Sequence, residues 1–313
     1  MNRMAMERIP ALALEGEGQG KRALITGLRG FTGRYLAQEL TKAGYRVFGT
    51  VMPGEQTGPD IFTVDLCDPE AVSAMVEQVQ PDVVAHLAGI AFVAHADAGL
   101  IYRVNILGTR NLLAALAVQR HVPQAVLLAS SANIYGNANV AAIDESVVPA
   151  PANDYAVSKL AMENMAMLWA DKLPIVIARP FNYTGVGQDE NFLLPKIVAH
   201  FRKNALEIEL GNLAVARDFS DVRMVAKAYR RLLAAAPAGH AFNVCSGVAH
   251  SLDNVLTLMS GIAGYTINVQ VNPAFVRAKD VLRLVGSNAK LASVIGDIEP
   301  TPLADTLRWM YVA

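Results

Sequence analysis

"RALITGLRGFTGRYLAQELTKAG", residues 22–44, decides the fold. A short apolar run ends at Gly27, and a stretch with helical spacing begins near Gly30 and stops at Gly44, a residue suited to a helix C-terminus. The turn between them, TGLRGFTG (26–33), carries Gly27, Gly30 and Gly33. Glycines in such a turn allow a sharp reversal, close approach of a pyrophosphate and tight helix–strand packing. The helix start then offers free N–H groups and partial positive charge to the phosphates. A lone glycine triplet is weak evidence, but here it joins a strand to a helix.

The alternation continues outward. YRVFGTV and IFTVDL read as the second and third strands, and DPEAVSAMVEQV as a helix with an aspartate N-cap and proline at its first position. DVVAHLAG is a fourth strand, a long helix spans roughly 98–121, and AVLLASS and PIVIARP are further strands. Near-continuous apolar strands in βα repeats predict an α/β fold, a Rossmann-type doubly wound parallel sheet covered on both faces. Past residue 180 the pattern loosens, with helices near 191–205, 221–236, 251–263 and 301–311 and short strands such as AFNVCS and INVQVN. The expected organisation is a disordered extension over 1–20, a dinucleotide-binding core over 21–180, and a smaller substrate-binding part over 181–313. AFNVCS is positioned to return to the main sheet.

Composition bounds the function. The 313 residues are 53% hydrophobic and 18% charged, with a net charge of −1. That describes a globular chain with a large core and no basic field for nucleic acid or anionic lipid. Cys67 and Cys245 are far apart without a CxxC pair, which fits a reducing cytoplasm and argues against a zinc site. The N-terminus lacks the apolar core of a signal peptide, and no run reaches the ~18 residues of a membrane span. The expectation is a cytoplasmic protein without metal, nucleic-acid or membrane partners.

YAVSK (155–159) places Tyr155 and Lys159 on one face of a helix. The pattern alone decides nothing, but it suits proton transfer. An alkoxide formed from a ketone needs a proton, a free tyrosine titrates near 10, and an adjacent ammonium lowers that value. The second strand ends VFGTVMPG, with no acid before Glu55 to hold a ribose 2′-hydroxyl. Arg29 in the glycine turn could pair with a 2′-phosphate, so NADP(H) is favoured over NAD(H).

In sequence order, GxxGxxG, HLAG (86–89), VNILGT (104–109), SSANIYG (130–136), YAVSK and ARPFN (178–182) resemble the motif series of the extended short-chain dehydrogenases/reductases, over about 21–313. The resemblance implies Tyr155 and Lys159 as the acid/base pair and Ser131 as the hydroxyl that holds the carbonyl oxygen, with Ser130 its structural neighbour. It implies a cofactor site of Gly27, Arg29, Gly30, Phe31, Gly33, Asp65, Leu66, Leu87, Ala88, Gly89, Asn105 and Pro180. Lys159 would also bond the nicotinamide ribose, and Asp65 and Leu66 would flank the adenine. Asn182, Arg217, Arg277 and Asp280 would hold a nucleotide diphosphate sugar, and Lys196 lies where a base contact could arise. The family usually has proline after the second arginine and often glutamate beyond it, where this chain has Ala278 and Asp280.

PFNYTGVGQ, RDFSDVRMV, NVCSGVAHSL and GSNAKL are most similar to the GDP-6-deoxy-D-lyxo-4-hexulose reductases, which form GDP-D-rhamnose. Sugar-nucleotide dehydratases have acids directly after the catalytic hydroxyl, where this chain has Ala132 and Asn133. The cysteine–histidine pair of the GDP-fucose synthases has no counterpart. The resemblance therefore implies reduction of a GDP-sugar ketone. The alternatives are an NAD-retaining 4-epimerase and a non-catalytic NADP sensor. It also implies a homodimer. Met162, Met165 and Trp169, at helical spacing, fit either an intermolecular helix bundle or core packing.

Overall fold

β1 (Arg22–Thr26) lies inside a seven-stranded sheet and pairs in parallel with β2 (Arg46–Val51) and β4 (Val83–His86). This computed structural model describes residues 16–91, 97–213, 215–273 and 283–313. β3 (Ile61–Thr63) closes one edge. On the other side follow β5 (Ala125–Ala129), β6 (Ile175–Pro180) and β10 (His240–Val244), all parallel. The order is β10-β6-β5-β4-β1-β2-β3.

Strand alternation divides the core. Ala23 and Ile25 of β1 and Ala125 and Leu127 of β5 face one layer, with α1 (Phe31–Lys42), α7 (Val222–Ala235) and α9 (Ala289–Ile295). Leu24, Val126 and Leu128 face the other, with α2 (Pro69–Val79), α4 (Thr109–Ala117) and α5 (Asp154–Ala166). This two-sided burial explains why the strands read as unbroken apolar runs.

The chain departs from the sequence expectation in several places. The helix expected over 98–121 is α3 (Ala98–Tyr102), a π-helical turn (Arg103–Gly108) and α4. The helix after Tyr155 ends at Ala166 and tightens into a 3₁₀ turn, Met167–Trp169. Met162 is buried in the core, and Met165 and Trp169 pack against the same cluster. Met162 therefore serves the interior, and Met165 and Trp169 lie partly buried on its margin. Residues 16–20 of the expected extension are seated on the core. Gly18 lies so close to Tyr45 that a methyl group there would sit 2.1 Å from its ring, and Glu17 pairs with Arg230 at 2.9 Å. Residues 1–15 lie outside the described ones.

After β6 the chain builds a second layer. β7 (Asn182–Thr184) pairs with β9 (Ala216–Asp221), which also joins β11 (Ala249–Ser251) and β13 (Arg283–Leu284). β8 (Glu207–Leu210) pairs with β12 (Asn268–Val271). α6 (Leu193–Arg202), α8 (Leu252–Ala263) and α10 (Leu303–Val312) pack these strands through Ile197, Phe201, Val255, Met259 and Leu307. β10 interrupts this part to complete the main sheet. A reversal of strand order on either side of β1 places a crevice at the carboxyl ends of β1 and β4, where α/β sheets bind ligands.

Candidate active site

The glycine turn sits at that crevice. Gly27 has φ +72°, and a methyl group on it would lie 3.0 Å from the Ala88 backbone. A methyl group on Gly33 would lie 2.3 Å from the Gly27 carbonyl oxygen, so only glycine lets α1 start so close to the turn. Gly30 is the N-cap, no side chain caps α1, and its first turn has no acid. Free N–H groups, an open mouth and unopposed positive polarity are a physical match to a dinucleotide pyrophosphate. Arg29 is exposed at this mouth, as is Asp65 beyond β3, while Leu66 is buried. Leu87, Ala88 and Gly89 follow β4 on the opposite wall.

Glu55 belongs to the same rim. Its carboxylate accepts a hydrogen bond from Met52 N at 3.2 Å, so an acid folds back to the end of β2. Strand-end spacing alone does not reveal this, because the turn after Val51 makes the approach.

Asn105 lies in the π turn and is 1% exposed. Its Oδ1 accepts from Ile90 N at 2.9 Å, and its Nδ2 donates to Ser158 Oγ at 3.0 Å. The extra residue of a π turn re-aims side chains, a common device at functional sites. A methyl group on Gly89 would meet Asn105 Oδ1 at 2.8 Å and Lys159 Nζ at 3.4 Å. The missing side chain leaves a slot between the amide and the ammonium.

A directed chain of hydrogen bonds supports the π turn from beneath. Thr109 Oγ1 donates to Asn105 O at 2.7 Å, so it accepts from His86 Nε2–H at 2.8 Å. His86 Nδ1 then accepts from Thr26 Oγ1 at 2.7 Å, and Thr26 Oγ1 accepts from Ala88 N at 3.2 Å. One neutral tautomer satisfies every member. Burial, then the Lys159 charge, push the His86 pKa down to about 3. Neither His86 nor the threonines stand out in the sequence, since a histidine within a buried strand carries no spacing signal.

α5 presents Tyr155 and Lys159, both buried. The Tyr155 hydroxyl hydrogen-bonds Ser131, which caps the 3₁₀ turn Ala132–Tyr135 after β5. Ser131 Oγ accepts from Asn133 N and from Asn133 Nδ2, both at 3.1 Å. With its lone pairs so engaged, the Ser131 proton is left to point at the Tyr155 oxygen. Asn133 thus orients the hydroxyl, a role that its position in the sequence does not signal, because the 3₁₀ turn brings the amide to Ser131. Lys159 Nζ donates to Ala129 O at 2.8 Å.

The electrostatics correct one expectation. The sequence places Tyr155 below its usual value because of the Lys159 charge. Burial instead pushes it up to about 12, with the Ser131 bond pulling the other way. Lys159 is itself lowered to about 8 by burial, against the raising effect of Glu163. A phenol and an ammonium sharing a helical face are both desolvated here, and desolvation is the largest influence on each.

Pro180 ends β6, and Asn182, exposed, opens β7. Arg217, half-buried on β9, donates to Ala216 O at 3.2 Å. Its neighbour Asp218 is taken up elsewhere, accepting from Ser246 N, Ser246 Oγ and Gly247 N at 2.7–2.9 Å. Lys196 on α6 donates to Glu209 O at 2.8 Å. Arg277 and Asp280 lie outside the described residues. Among those described, no helix is long and apolar enough to cross a membrane, and no group of three or more His, Cys, Asp or Glu side chains could hold a metal ion.

Residues 23–245 match the NAD dependent epimerase/dehydratase family. The chain belongs to that family. Two relatives are each 34% identical. A GDP-6-deoxy-D-talose 4-dehydrogenase of Aggregatibacter actinomycetemcomitans aligns over 92% of this chain and 96% of its own. A GDP-6-deoxy-D-mannose reductase of Pseudomonas aeruginosa aligns over 88% and 91%. Among solved structures, a chain from Burkholderia cenocepacia J2315 with a provisional epimerase role is 56% identical, with a TM-score of 0.89 and coverage of 94% and 98%. The Pseudomonas aeruginosa RMD complexed with NADPH is 32% identical, with a TM-score of 0.81 and coverage of 93% and 98%. A Thermus thermophilus UDP-glucose 4-epimerase complexed with NAD is 28% identical, with the same TM-score and coverage. This epimerase/dehydratase member is thus an extended short-chain dehydrogenase/reductase.

Proposed function

We propose that the protein reduces the 4-keto group of GDP-4-keto-6-deoxy-D-mannose with NADPH, forming GDP-D-rhamnose. The observation that carries the reading is the Tyr155–Ser131–Asn133 chain, which presents hydroxyls and no carboxylate after β5. Elimination of water needs an acid or base at 132–133, and Ala132 and Asn133 supply neither. Reduction needs only a proton for the new alkoxide.

The turn at Gly27–Gly33 would hold the pyrophosphate, with Asp65 and Leu66 beside the adenine and Leu87–Gly89, Asn105 and Pro180 along the rest. NADPH, when bound, supplies the hydride. Tyr155 would donate toward the substrate O4 and release its proton as charge develops there, and the Ser131 proton would turn from the Tyr155 oxygen to the same O4. A phenol raised to about 12 stays protonated before reaction, which suits an acid. Lys159, anchored on Ala129 O, holds positive charge at the slot beside Gly89 and favours the phenolate left behind. Asn182, Arg217, Arg277 and Asp280 would bind the GDP part, with Lys196 near the base.

Arg29 at the mouth favours the 2′-phosphate of NADPH. A second reading, NAD with 4-epimerisation, draws support from Glu55, whose carboxylate folds back on Met52 N just past the end of β2 and so brings an acid toward the strand end where a ribose 2′-hydroxyl would be sought. Homodimer formation and a cytoplasmic location complete the proposal.

Incubation with GDP-4-keto-6-deoxymannose and either NADPH or NADH, followed by product analysis, decides between these readings. Net oxidation of NADPH with one C4 epimer formed is the expected result. A 6-deoxy-talose product would overturn the stereochemical assignment, and interconversion of GDP-D-rhamnose and GDP-6-deoxy-D-talose, each supplied as substrate without net cofactor turnover, would favour the epimerase.

A further inference from the structure

The helix that starts at the glycine turn also grips the segment that follows Pro180. Thr32 Oγ1 and the Tyr183 hydroxyl are 2.7 Å apart, and the Phe31 ring stacks on Tyr183 at 5.9 Å with 10° between planes. One turn along, the Tyr35 hydroxyl donates to Val186 O at 2.7 Å, and Arg34 Nη2 donates to Gly187 O at 2.9 Å. Trp309 of α10 backs the grip. It meets Tyr35 edge to face at 6.0 Å and carries the Arg223 guanidinium 3.9 Å above its ring. A methyl group on Gly185 would come within 3.1 Å of it.

The two sides of this grip belong to different ligands. Phe31 and Thr32 open the helix whose N–H groups face the dinucleotide turn. Tyr183 directly follows Asn182, the residue placed toward the sugar nucleotide. More than 150 residues separate the partners in sequence, so neither side is held by local structure alone.

We propose that this contact is a clasp that couples the two ligands, with Tyr183 as its positioning residue. A dinucleotide that fixes the first turn of α1 also fixes Tyr183 and its neighbours, so the nucleotide sugar then binds a segment already ordered. The second ligand meets less ordering cost and binds more tightly. The idea rests on the ligand classes of the proposed function but not on the identity of the base or on the reaction.

The test is calorimetric titration with GDP, and in parallel with UDP, in the absence and presence of saturating NADP⁺ or NAD⁺, whichever binds tighter. The expected result is nucleotide binding tightened at least about fivefold by the dinucleotide. Tyr183→Phe should bring that ratio close to one while the dinucleotide alone still binds. Thr32→Val removes the other half of the same bond and should lower the ratio equally, and the double variant should lose no more than either single one. In a Trp169→Phe background, Trp309 emission should shift on adding dinucleotide, and the shift should shrink with Tyr183→Phe. A wild-type ratio of one, a ratio untouched by Tyr183→Phe, or additive losses in the double variant would each overturn the clasp. A preference for UDP overturns the GDP reading instead, and the ratio taken with UDP still decides the coupling.

Discussion

Tyr155 and Lys159 differ in what their removal should do. Tyr155→Phe keeps the ring and its packing and deletes the transferable proton. Turnover should fall roughly 10²–10⁴-fold at saturating cofactor, with dinucleotide affinity nearly unchanged. Lys159→Met should lower both, which stopped-flow turnover and fluorescence titration separate. Equal dinucleotide affinity for Lys159→Met and wild type would remove the lysine from the cofactor site. At this scale the sequence is informative where chemistry depends on a fixed offset. The i, i+4 pair and the glycine triplet are legible because helix and turn geometry set those distances. Asn133, Glu55 and Tyr183 are not, since their partners are brought to them by a 3₁₀ turn, a reverse turn and a contact across 151 residues. The pKa of Tyr155 escapes the sequence for a related reason. Spacing shows the neighbouring charge, but burial is a property of the assembled fold.

Elements carry the next level. The His86 chain joins β1, β4 and the π turn, and its histidine is neutral when folded. Its folded pKa of about 3 lies below the ordinary value of 6.5, so between these values the unfolded chain binds the extra proton. Stability from this group is therefore complete above about pH 6.5 and is lost progressively as pH falls toward 3. Urea midpoints for wild type should drop across pH 6.5–4 more steeply than those for His86→Gln. Parallel slopes would mean that the histidine is not neutral in the fold. Gly33→Ala tests the entry of α1. Its methyl group would meet backbone, not a flexible side chain, so a loss of about 1–3 kcal/mol is expected in thermal or urea unfolding. The strand–helix alternation is readable because each strand is apolar on both faces. The π turn is hidden, since its extra residue leaves the apolar spacing of 98–121 helical on average. The short strands β7, β9, β11 and β13 are hidden as well, because two- to six-residue segments offer too few positions to show a period.

For the whole molecule, self-association is the open physical question. Met162 is buried and Met165 and Trp169 are partly so, yet Val157 and Leu168 on the same helical stretch are 39% and 79% exposed. If the proposed homodimer uses this face, Val157→Glu with Leu168→Glu should halve the mass seen by light scattering and leave the fold intact. An unchanged mass would move the interface elsewhere. AFNVCS, read as able to rejoin the main sheet, does so as β10, and that return has a consequence for how the chain is made. Residues 181–239 must emerge from the ribosome before the last strand of the main sheet exists. Until then β6 is a bare edge, buried apolar on both faces in the finished sheet, and open to pairing with a neighbouring nascent chain. Synthesis that pauses within this interval exposes the edge for longest, and synonymous codon choice there should affect soluble yield more than the same change anywhere before β6.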